Sequence, residues 1–380
     1  MRDLLPELTR WWGAGTRFAL ATVVGVRGSA PRQPGASMAV SAAGEAIGSV
    51  SGGCVEGAVY ELATEVLQTG RPVLQTYGIS DEDAFSVGLT CGGILDILVR
   101  PVDTATVPTF PDAVGSIAAQ EPVAVATVIS GDAHVAAQVV IWADRSEGTL
   151  GATGLDVAVI DDARGMLAQG QTGVRHYGPN GERRQDEVAV FVESFAPPPR
   201  MLVFGAIDFA AAVARIGRYL GYRVTVCDAR PVFATQKRFP DAHEVVCEWP
   251  HRYLSGTTVD ERTVITVLTH DPKFDVPLLE VALQTPAAYI GAMGSRRTHD
   301  DRVARLREIG VSDEALARLR SPIGLDLGAR TPEETAVSIA AEIIAARWGG
   351  TGEQLRRVDG PIHRAPPGDR EGLGRRIEPS

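Results

Sequence analysis

In the N-terminal half of the chain, apolar positions recur mostly with the short spacing of β-strands. Phe18–Val26 is an apolar, β-branched segment, which predicts a buried strand. Ser37–Val40 and Ala46–Val50 predict a hairpin around a glycine turn. Apolar residues then recur every three or four positions over about Val55–Thr69, which predicts an amphipathic helix that ends at Gly70.

The predicted strands continue to about residue 194. They are Val73–Tyr77, Ile94–Val99, Val123–Ile129, His134–Ile141, Val157–Ile160 and Val188–Ser194. We interpret the β-rich stretch at about 122–194 as an extension of the first domain, which would span residues 1–196. The sequence shows no internal repeat. The predicted fold of this domain is therefore mixed α+β with a β-rich extension.

A proline-rich segment separates this half from a region with a different pattern. Pro197-Pro198-Pro199 predicts a stiff linker. After it, strands and helices alternate: strands at Met201–Phe204, Arg223–Cys227, Val245–Val246, Thr263–Leu268 and Ala287–Ile290, and helices at Phe209–Leu220, Asp300–Ile309 and Pro332–Trp348. Such alternation predicts a Rossmann-like parallel α/β domain over residues 200–348. Residues 349–380 have mixed charge and few apolar positions, and we expect a disordered tail.

Composition narrows the classes of function. Lys and Arg total 37 and Asp and Glu total 47, so the net charge of −10 argues against a general nucleic-acid binder. The chain has no GxxxxGK[ST] segment, which excludes P-loop phosphate chemistry. No apolar run approaches the ~20 residues of a membrane-spanning helix, and Met1–Trp12 lacks the pattern of a signal peptide. The four cysteines are too few for a disulfide scaffold, and we expect reduced thiols in the cytoplasm.

The second domain opens like a dinucleotide-binding βαβ unit, but its glycine pattern is incomplete. A strand leads to Gly205, a helix follows, and the next strand ends at Asp228, near the ~20-residue spacing of a ribose contact. Ile207 stands where the backbone should approach a pyrophosphate. Asp208 either brings negative charge to the phosphate position or simply caps the helix. Asp228 and Arg230 can contact a ribose or a 2′-phosphate, or end the strand in solvated charge.

Two further polar turns follow predicted strands of this domain. The carboxyl ends of parallel strands meet at one edge of the sheet, so Thr269-His270-Asp271 should lie near Asp228 and Arg230. His270 beside Asp271 can transfer a proton, although a turn histidine held by local hydrogen bonds is the alternative. The other turn favours an anion, because glycines open its backbone and two arginines follow. Its candidate residues are Gly291, Gly294, Ser295, Arg296 and Arg297.

Two cysteines of the first domain lie beside paired glycines, in Ser51-Gly52-Gly53-Cys54 and Cys91-Gly92-Gly93. Paired glycines let backbone N–H groups converge on an anion and expose a neighbouring thiol. Cys54 also precedes a predicted helix, whose N-terminus lowers a thiol pKa. The alternative is that both are small buried residues, which is our prediction for Cys227 and Cys247. A nearby loop contains two arginines, Arg27 and Arg32, which can bind an anionic ligand. The alternative is that this loop is simply solvated.

Together these segments resemble a known family. Three of them resemble the N-terminal domain of the XdhC/CoxI family: Arg27–Arg32, Gly48–Glu56 and Gly88–Gly93. Three more resemble its C-terminal Rossmann domain: Thr269–Asp271, Tyr289–Arg297 and Pro322–Glu334. The resemblance covers about residues 10–348. One loop departs from the family pattern Gly-Ala-Gly-His, since here it is Gly205-Ala206-Ile207-Asp208.

Members of this family are accessory proteins of molybdenum hydroxylases such as xanthine dehydrogenase. The resemblance implies that the chain binds molybdenum cofactor, which contains a pterin, a dithiolene and a phosphate, protects it, helps to sulfurate it and inserts it into an apo molybdenum hydroxylase. On this view Cys54 and Cys91 contact molybdenum or sulfur, a cysteine desulfurase is a further partner, and the chain forms a homodimer. The alternative is an NAD(P)-dependent oxidoreductase, which would need a working dinucleotide loop.

Overall fold

The structure of the protein is a computed structural model that describes residues 1–28, 30–78, 93–131 and 134–359. The chain divides into two units, of which the first is Met1–Pro197 and the second begins at Pro198. Most of the predicted tail and the segment that carries Cys91 lie outside the described residues. Within the described ranges, no helix has both the length and the apolar character to cross a membrane.

The first half of unit 1 is one helix followed by a five-stranded antiparallel sheet with a second helix against it. The elements are α1 (Leu5–Gly13), β1 (Phe18–Arg27), β2 (Ser37–Ser41), β3 (Ala46–Gly48), α2 (Glu56–Thr69), β4 (Val73–Tyr77) and β5 (Ile94–Val102). The strand order is β3-β2-β1-β5-β4. Alternate residues of β1, such as Ala21 and Val23, pack with Val59 and Val66 of α2. The predicted strands and helix of this half are confirmed.

The second half of unit 1 is built in the same way. Its elements are α3 (Phe110–Ala118), β6 (Val123–Ser130), β7 (Gln138–Ile141), β8 (Ser146–Gly148), α4 (Thr153–Gln169), β9 (Gly173–Tyr177) and β10 (Val188–Phe195). The strand order is β8-β7-β6-β10-β9. The predicted strand at Val157–Ile160 is wrong, because this segment lies in α4. Leu155, Val159 and Ala163 recur there at helical spacing and pack on the sheet.

These two halves are copies of one fold. Helices and strands follow in the same order, and the two sheets correspond strand for strand. Gly48 and Gly148 end equivalent strands with positive φ, and Gly70 and Gly170 end equivalent helices in the left-handed conformation. The expectation of no internal repeat is therefore wrong. Its trace in the sequence is short: Ala19-Leu20-Ala21-Thr22-Val23 and Ala124-Val125-Ala126-Thr127-Val128.

The sheet faces that are not covered by α2 and α4 pack against each other. Val24 and Leu98 of one sheet join Phe191 of the other in one apolar cluster. Arg100 and Glu193 also lie in this interface, at equivalent positions of β5 and β10. Burial lowers the pKa of Arg100 to about 10, and the charge of Glu193 opposes this change. The interface of the two copies is thus largely apolar, and its charged groups are Arg100, Glu193 and the N-terminal ammonium of Met1, which lies 3.7 Å from the Glu193 carboxylate.

Unit 2 is a six-stranded parallel sheet with helices on both faces, which confirms the predicted Rossmann-like fold. Its strands are β11 (Arg200–Phe204), β12 (Arg223–Asp228), β13 (Glu244–Cys247), β14 (Val264–Val267), β15 (Tyr289–Ala292) and β16 (Leu319–Arg320), in the order β13-β12-β11-β14-β15-β16. Its helices are α5 (Asp208–Tyr219), α6 (Pro250–Gly256), α7 (Pro272–Ala282), α8 (Arg296–Glu308), α9 (Asp313–Leu316) and α10 (Pro332–Trp348). α5 and α10 pack on one face, and α6, α7 and α8 pack on the other.

Candidate functional site

The loop before α2 in unit 1 is organised around the carboxylate of Glu56. This carboxylate accepts hydrogen bonds from the backbone N–H groups of Ser51, Gly52 and Gly53 at 2.9, 3.0 and 2.8 Å. The hydroxyl of Ser49 donates to it at 2.6 Å. Partial burial raises the pKa of Glu56, but the hydrogen bonds outweigh burial and lower it to about 2. We call residues 49–53 the glutamate-bound loop.

This arrangement corrects one expectation about the paired glycines. Their N–H groups do converge on an anion, but that anion is the side chain of Glu56 rather than a ligand. Gly52 and Gly53 have φ of 80° and 119°, and a Cβ at either position would meet no atom within 4 Å. The glycines are therefore needed for the backbone conformation, and the space beside them is open.

Cys54 follows this loop directly and lies two residues before the first residue of α2, half-buried against the apolar cluster beneath the helix. The second copy shows which parts of this arrangement the fold itself needs. There the hydroxyl of Thr149 and the N–H of Leu150 donate to the carboxylate of Asp156, both at 2.7 Å. Hydroxyl and carboxylate are thus kept in both copies, whereas Gly52-Gly53-Cys54 is replaced by Ala152-Thr153-Gly154. The fold does not require the cysteine.

The second predicted cysteine falls in another difference between the copies. In the first copy 16 residues connect β4 to β5, and in the second copy 10 residues connect β9 to β10. Cys91 and Gly92 belong to the longer connection and lie outside the described residues, whereas Gly93 is buried beside β5. Both cysteines with paired glycines therefore occur where the first copy departs from the second.

The two candidate arginines of unit 1 differ in their surroundings. Arg27 pairs with Asp96 of β5 at 3.1 Å, and Asp96 also accepts a hydrogen bond from Thr76 at 2.7 Å. Arg32 is exposed in the loop between β1 and β2. Arg32 is the more accessible cation for an anionic ligand.

At the carboxyl edge of the sheet in unit 2, the first turn is closed by Asp228. Its buried carboxylate accepts the N–H of Ala206 at 2.7 Å and pairs with Arg230 at 2.8 Å. Burial raises the pKa of Asp228, but the hydrogen bonds from Arg230 and Ala206 outweigh burial and lower it. Both oxygens are engaged within the chain, and Asp208 leaves 88% of its side chain exposed at the start of α5. These residues do not fit a dinucleotide, whose ribose would need a free carboxylate.

Gly205 has a role in packing at this turn. Its φ is 108°, and a Cβ there would lie 2.7 Å from Cγ2 of Thr269 at the end of β14. The glycine therefore allows β11 and β14 to approach closely where both strands end.

His270 and Asp271 follow β14 and differ in their surroundings. Asp271 caps α7, accepting the backbone N–H of Lys273 at 3.1 Å, and its carboxylate also pairs with the Lys273 ammonium at 3.1 Å. The hydrogen bond from this N–H lowers the pKa of Asp271. His270 is exposed. Asp271 thus acts as a helix cap and ion-pair partner of Lys273, beside an exposed histidine, and proton transfer by these two residues stays a prediction.

A buried ion pair beneath this edge was not predicted. Arg302 of α8 pairs with Asp275 of α7 at 2.9 Å and donates to the carbonyl of Met293 at 2.9 Å. Thr269 donates to the same carboxylate, so the ends of β14 and β15 are tied together. Burial raises the pKa of Asp275, against the effect of Thr269 and Arg302. A sequence signal existed: Asp275 and Arg302 stand three and four residues before buried leucines of their helices, on the face toward the core.

The glycine-rich turn after β15 divides into packing residues and exposed cations. A Cβ at Gly291 would lie 2.5 Å from Cδ1 of Ile323, and Gly294 has a φ of 154°. Ser295 caps α8 by accepting the N–H of Thr298 at 3.1 Å. The first turn of α8 carries two exposed arginines, Arg296 and Arg297. Among the residues that the structure describes, neither guanidinium has a carboxylate within ion-pair distance. This is where unit 2 offers charge to an anion.

The remaining cysteines differ from each other. Cys227 is buried as predicted, and burial raises its pKa to about 12. The prediction of a buried Cys247 is wrong, because it is the last residue of β13, an edge strand whose two end residues are exposed. Over the described ranges, no group of three or more His, Cys, Asp or Glu side chains could hold a metal ion.

Comparisons with known proteins cover both units. The family model described as the XdhC and CoxI family matches residues 11–78 and 116–178. Each matched segment lies within one of the two copies of unit 1. The model described as the XdhC Rossmann domain matches residues 201–343 of unit 2.

Similar whole proteins agree in length and arrangement. One relative, from Bacillus subtilis, is named as a probable subunit of xanthine dehydrogenase and is 27% identical over 86% of this chain and 92% of the relative. Another is the molybdenum cofactor insertion chaperone PaoD of Escherichia coli, 26% identical over 88% of this chain and 85% of the relative. A crystal structure described as a xanthine dehydrogenase from Bacillus halodurans matches with a TM-score of 0.65 and 25% identity, over 91% of this chain and 95% of that chain.

Proposed function

Because the chain belongs to the XdhC and CoxI family, we propose that it binds molybdenum cofactor and inserts it into a molybdenum hydroxylase of the xanthine dehydrogenase type. The names of two relatives support this proposal, one as a cofactor insertion chaperone and one as part of a xanthine dehydrogenase. Within the molecule, the observation that supports this proposal most directly is the glutamate-bound loop with Cys54 after it. Cys54 is present only in the first copy of a fold that the second copy builds without it.

We propose that Cys54 and Cys91 contact the molybdenum or the dithiolene sulfur of the cofactor. A thiol at the start of a helix, beside open space at Gly52 and Gly53, can contact a sulfur-rich ligand without displacing other side chains. The Glu56 carboxylate fixes the loop before the ligand arrives, so little ordering remains to be done on binding. Assistance in sulfuration, with a cysteine desulfurase as sulfur donor, is part of this proposal.

We propose that exposed arginines bind the anionic oxygens of the cofactor, including those of its phosphate. In unit 2 these are Arg296 and Arg297 at the capped start of α8. In unit 1 the accessible cation is Arg32. Guanidinium groups bind phosphate oxygens in pairs, and a helix N-terminus adds favourable charge.

The test is cofactor retention. The chain is co-expressed in a host that makes molybdenum cofactor, purified without oxygen, and assayed for molybdenum by mass spectrometry and for pterin by fluorescence after oxidation. We expect both in the wild type and in Cys247→Ser, the control at an exposed thiol, and at least a fivefold loss in Cys54→Ser. A wild type that carries neither molybdenum nor pterin would refute the proposal.

Delivery is tested with an apo molybdenum hydroxylase of the xanthine dehydrogenase type. The loaded chain should restore its activity faster than free cofactor does, and cyanide-releasable sulfur in the product reports sulfuration. Light scattering tests the proposed homodimer, for which the expected mass is about twice 40.3 kDa.

A further inference from the structure

The carboxyl edge of the sheet in unit 2 carries an exposed group of aromatic side chains that the assignments above do not use. Trp249 lies between β13 and α6 and leaves 42% of its surface exposed. Its ring centroid is 5.1 Å from that of Phe274, in the first turn of α7, and 6.0 Å from that of His251. We call these three residues the aromatic cluster.

The cluster is held on rigid elements. Trp249 precedes α6 directly, Phe274 lies in α7, and the two helices pack side by side. Two ring neighbours therefore restrict the indole while much of its surface stays in water. A tryptophan fixed in this way offers a stacking surface at little cost in conformational entropy.

Cationic groups accompany the cluster. The ammonium of Lys273 lies 4.8 Å from the ring centroid of Phe274 and also pairs with the Asp271 carboxylate at 3.1 Å. α8 packs beside α7, and its first turn adds Arg296 and Arg297 to the same edge of the sheet. The N-termini of α7 and α8 also point to this edge, which favours negative charge. The edge thus combines an open aromatic face with three cations, of which Lys273 is shared with Asp271.

We propose that the aromatic cluster binds the planar ring of an anionic heteroaromatic ligand, with the ring stacked on Trp249 and its negative group near Lys273. Pterins and purine nucleotides share this chemistry. If the stacked ring is a pterin, the proposal rests on the proposed function, because the cargo named there contains a pterin and a phosphate. If the ring is a purine, the proposal does not depend on that function. Stacking of one base on an aromatic side chain contributes ~1–3 kcal/mol, which corresponds to a ~5- to 150-fold change in affinity.

The experiment measures binding of pterin-6-carboxylate and, separately, GMP to the purified full chain by fluorescence and calorimetry. We expect Trp249→Ala to weaken binding at least ~5-fold and Trp249→Phe to keep most of it. Trp348→Ala is the matched control, because Trp348 is 45% exposed and also has a cation, Arg347, 4.8 Å from its ring centroid. This variant should bind like the wild type. The tighter of the two probes identifies the source of the ring.

Two results would overturn the proposal: no binding of either probe to the wild type, or equal binding to the wild type and Trp249→Ala. Failure of this site is distinguishable from failure of the proposed function. If the wild type carries molybdenum and pterin but neither probe binds through Trp249, the cluster is not a ligand site although the cargo is correct. If the wild type carries no molybdenum but binds GMP through Trp249, the cluster stands and the cargo is wrong.

Discussion

Replacing Glu56 with Gln should loosen the glutamate-bound loop, because the carboxylate is its common hydrogen-bond acceptor. In the folded chain the pKa of Glu56 lies at about 2 instead of 4.5. Each pKa unit corresponds to ~1.4 kcal/mol, so the loop stabilises the charged form by up to ~3.5 kcal/mol. Solvent reaches part of this side chain, and we reduce the expected loss to ~2 kcal/mol. For a unit of nearly 200 residues this corresponds to a fall in Tm of ~4–8 °C.

The sign of the pH dependence follows from the lowered pKa. The stabilisation by Glu56 is complete above pH 4.5 and is lost as the pH falls toward 2. The Tm difference between wild type and Glu56→Gln should therefore be largest near pH 7 and shrink below pH 4.5. Glu61→Gln is the control, because Glu61 is an exposed carboxylate on the same helix. It should change the stability by less than ~0.5 kcal/mol.

A local measurement separates the loop from the rest of the chain. Hydrogen exchange at the amides of residues 51–53 should accelerate ~30-fold in Glu56→Gln, since ~2 kcal/mol is a factor of ~30. Exchange in unit 2 should be unchanged. A variant with wild-type Tm at pH 7, or with a Tm difference that does not depend on pH, would refute the role assigned to this carboxylate.

Three further predictions concern unit 2. Arg302→Met should lower the free energy of unfolding by ~3–5 kcal/mol near pH 8, because Asp275 stays buried without its cation. The loss should be smaller at lower pH, because burial raises the pKa of this carboxyl and makes its neutral form easier to reach. Urea unfolding at pH 8 and at pH 4.5 measures this, and an equal loss at both would contradict it. Gly205→Ala should lower the free energy of unfolding by ~1–3 kcal/mol, because the backbone there has positive φ and a Cβ would collide with Thr269 after β14. Gly256→Ala is the control, because a Cβ there meets no atom within 4 Å, and it should change the free energy of unfolding by less than ~0.5 kcal/mol in the same urea experiment. Iodoacetamide at pH 8 should alkylate the exposed thiol before the buried one, Cys247 before Cys227, as measured by peptide mass spectrometry; equal rates would show that burial does not protect the latter.

Much of unit 2 could be predicted from the sequence, because parallel strands alternate with helices and each leaves a local signal. Unit 1 was harder. Val157–Ile160 is apolar over only four residues, which cannot distinguish a strand from one turn of a buried helix. The repeat escaped because the two copies share few identical residues and their similarity resides mainly in strand order, which no short segment displays.

The chemistry of the candidate site shows a similar division. Paired glycines beside a cysteine correctly indicated a nest of N–H groups, but which anion fills it depends on three-dimensional distance, and Glu56 is the nearer anion. Asp228 and Arg230 were predicted to face a ligand and instead bind each other. Cys247 was predicted to be buried because a strand alone does not reveal that it is an edge strand. In each case the competing partner or the solvent comes from the tertiary fold.

The opposed charges of Arg100 and Glu193 bear on the ancestry of unit 1. Two identical copies packed face to face would place two guanidinium groups, or two carboxylates, at this buried position, and like charges there repel strongly. With one of each, and with the Met1 ammonium 3.7 Å from Glu193, the charges of the two halves complement each other. A symmetric pair of either half would lack this complementarity, and of the two halves only the first has a cysteine in the loop before its second helix.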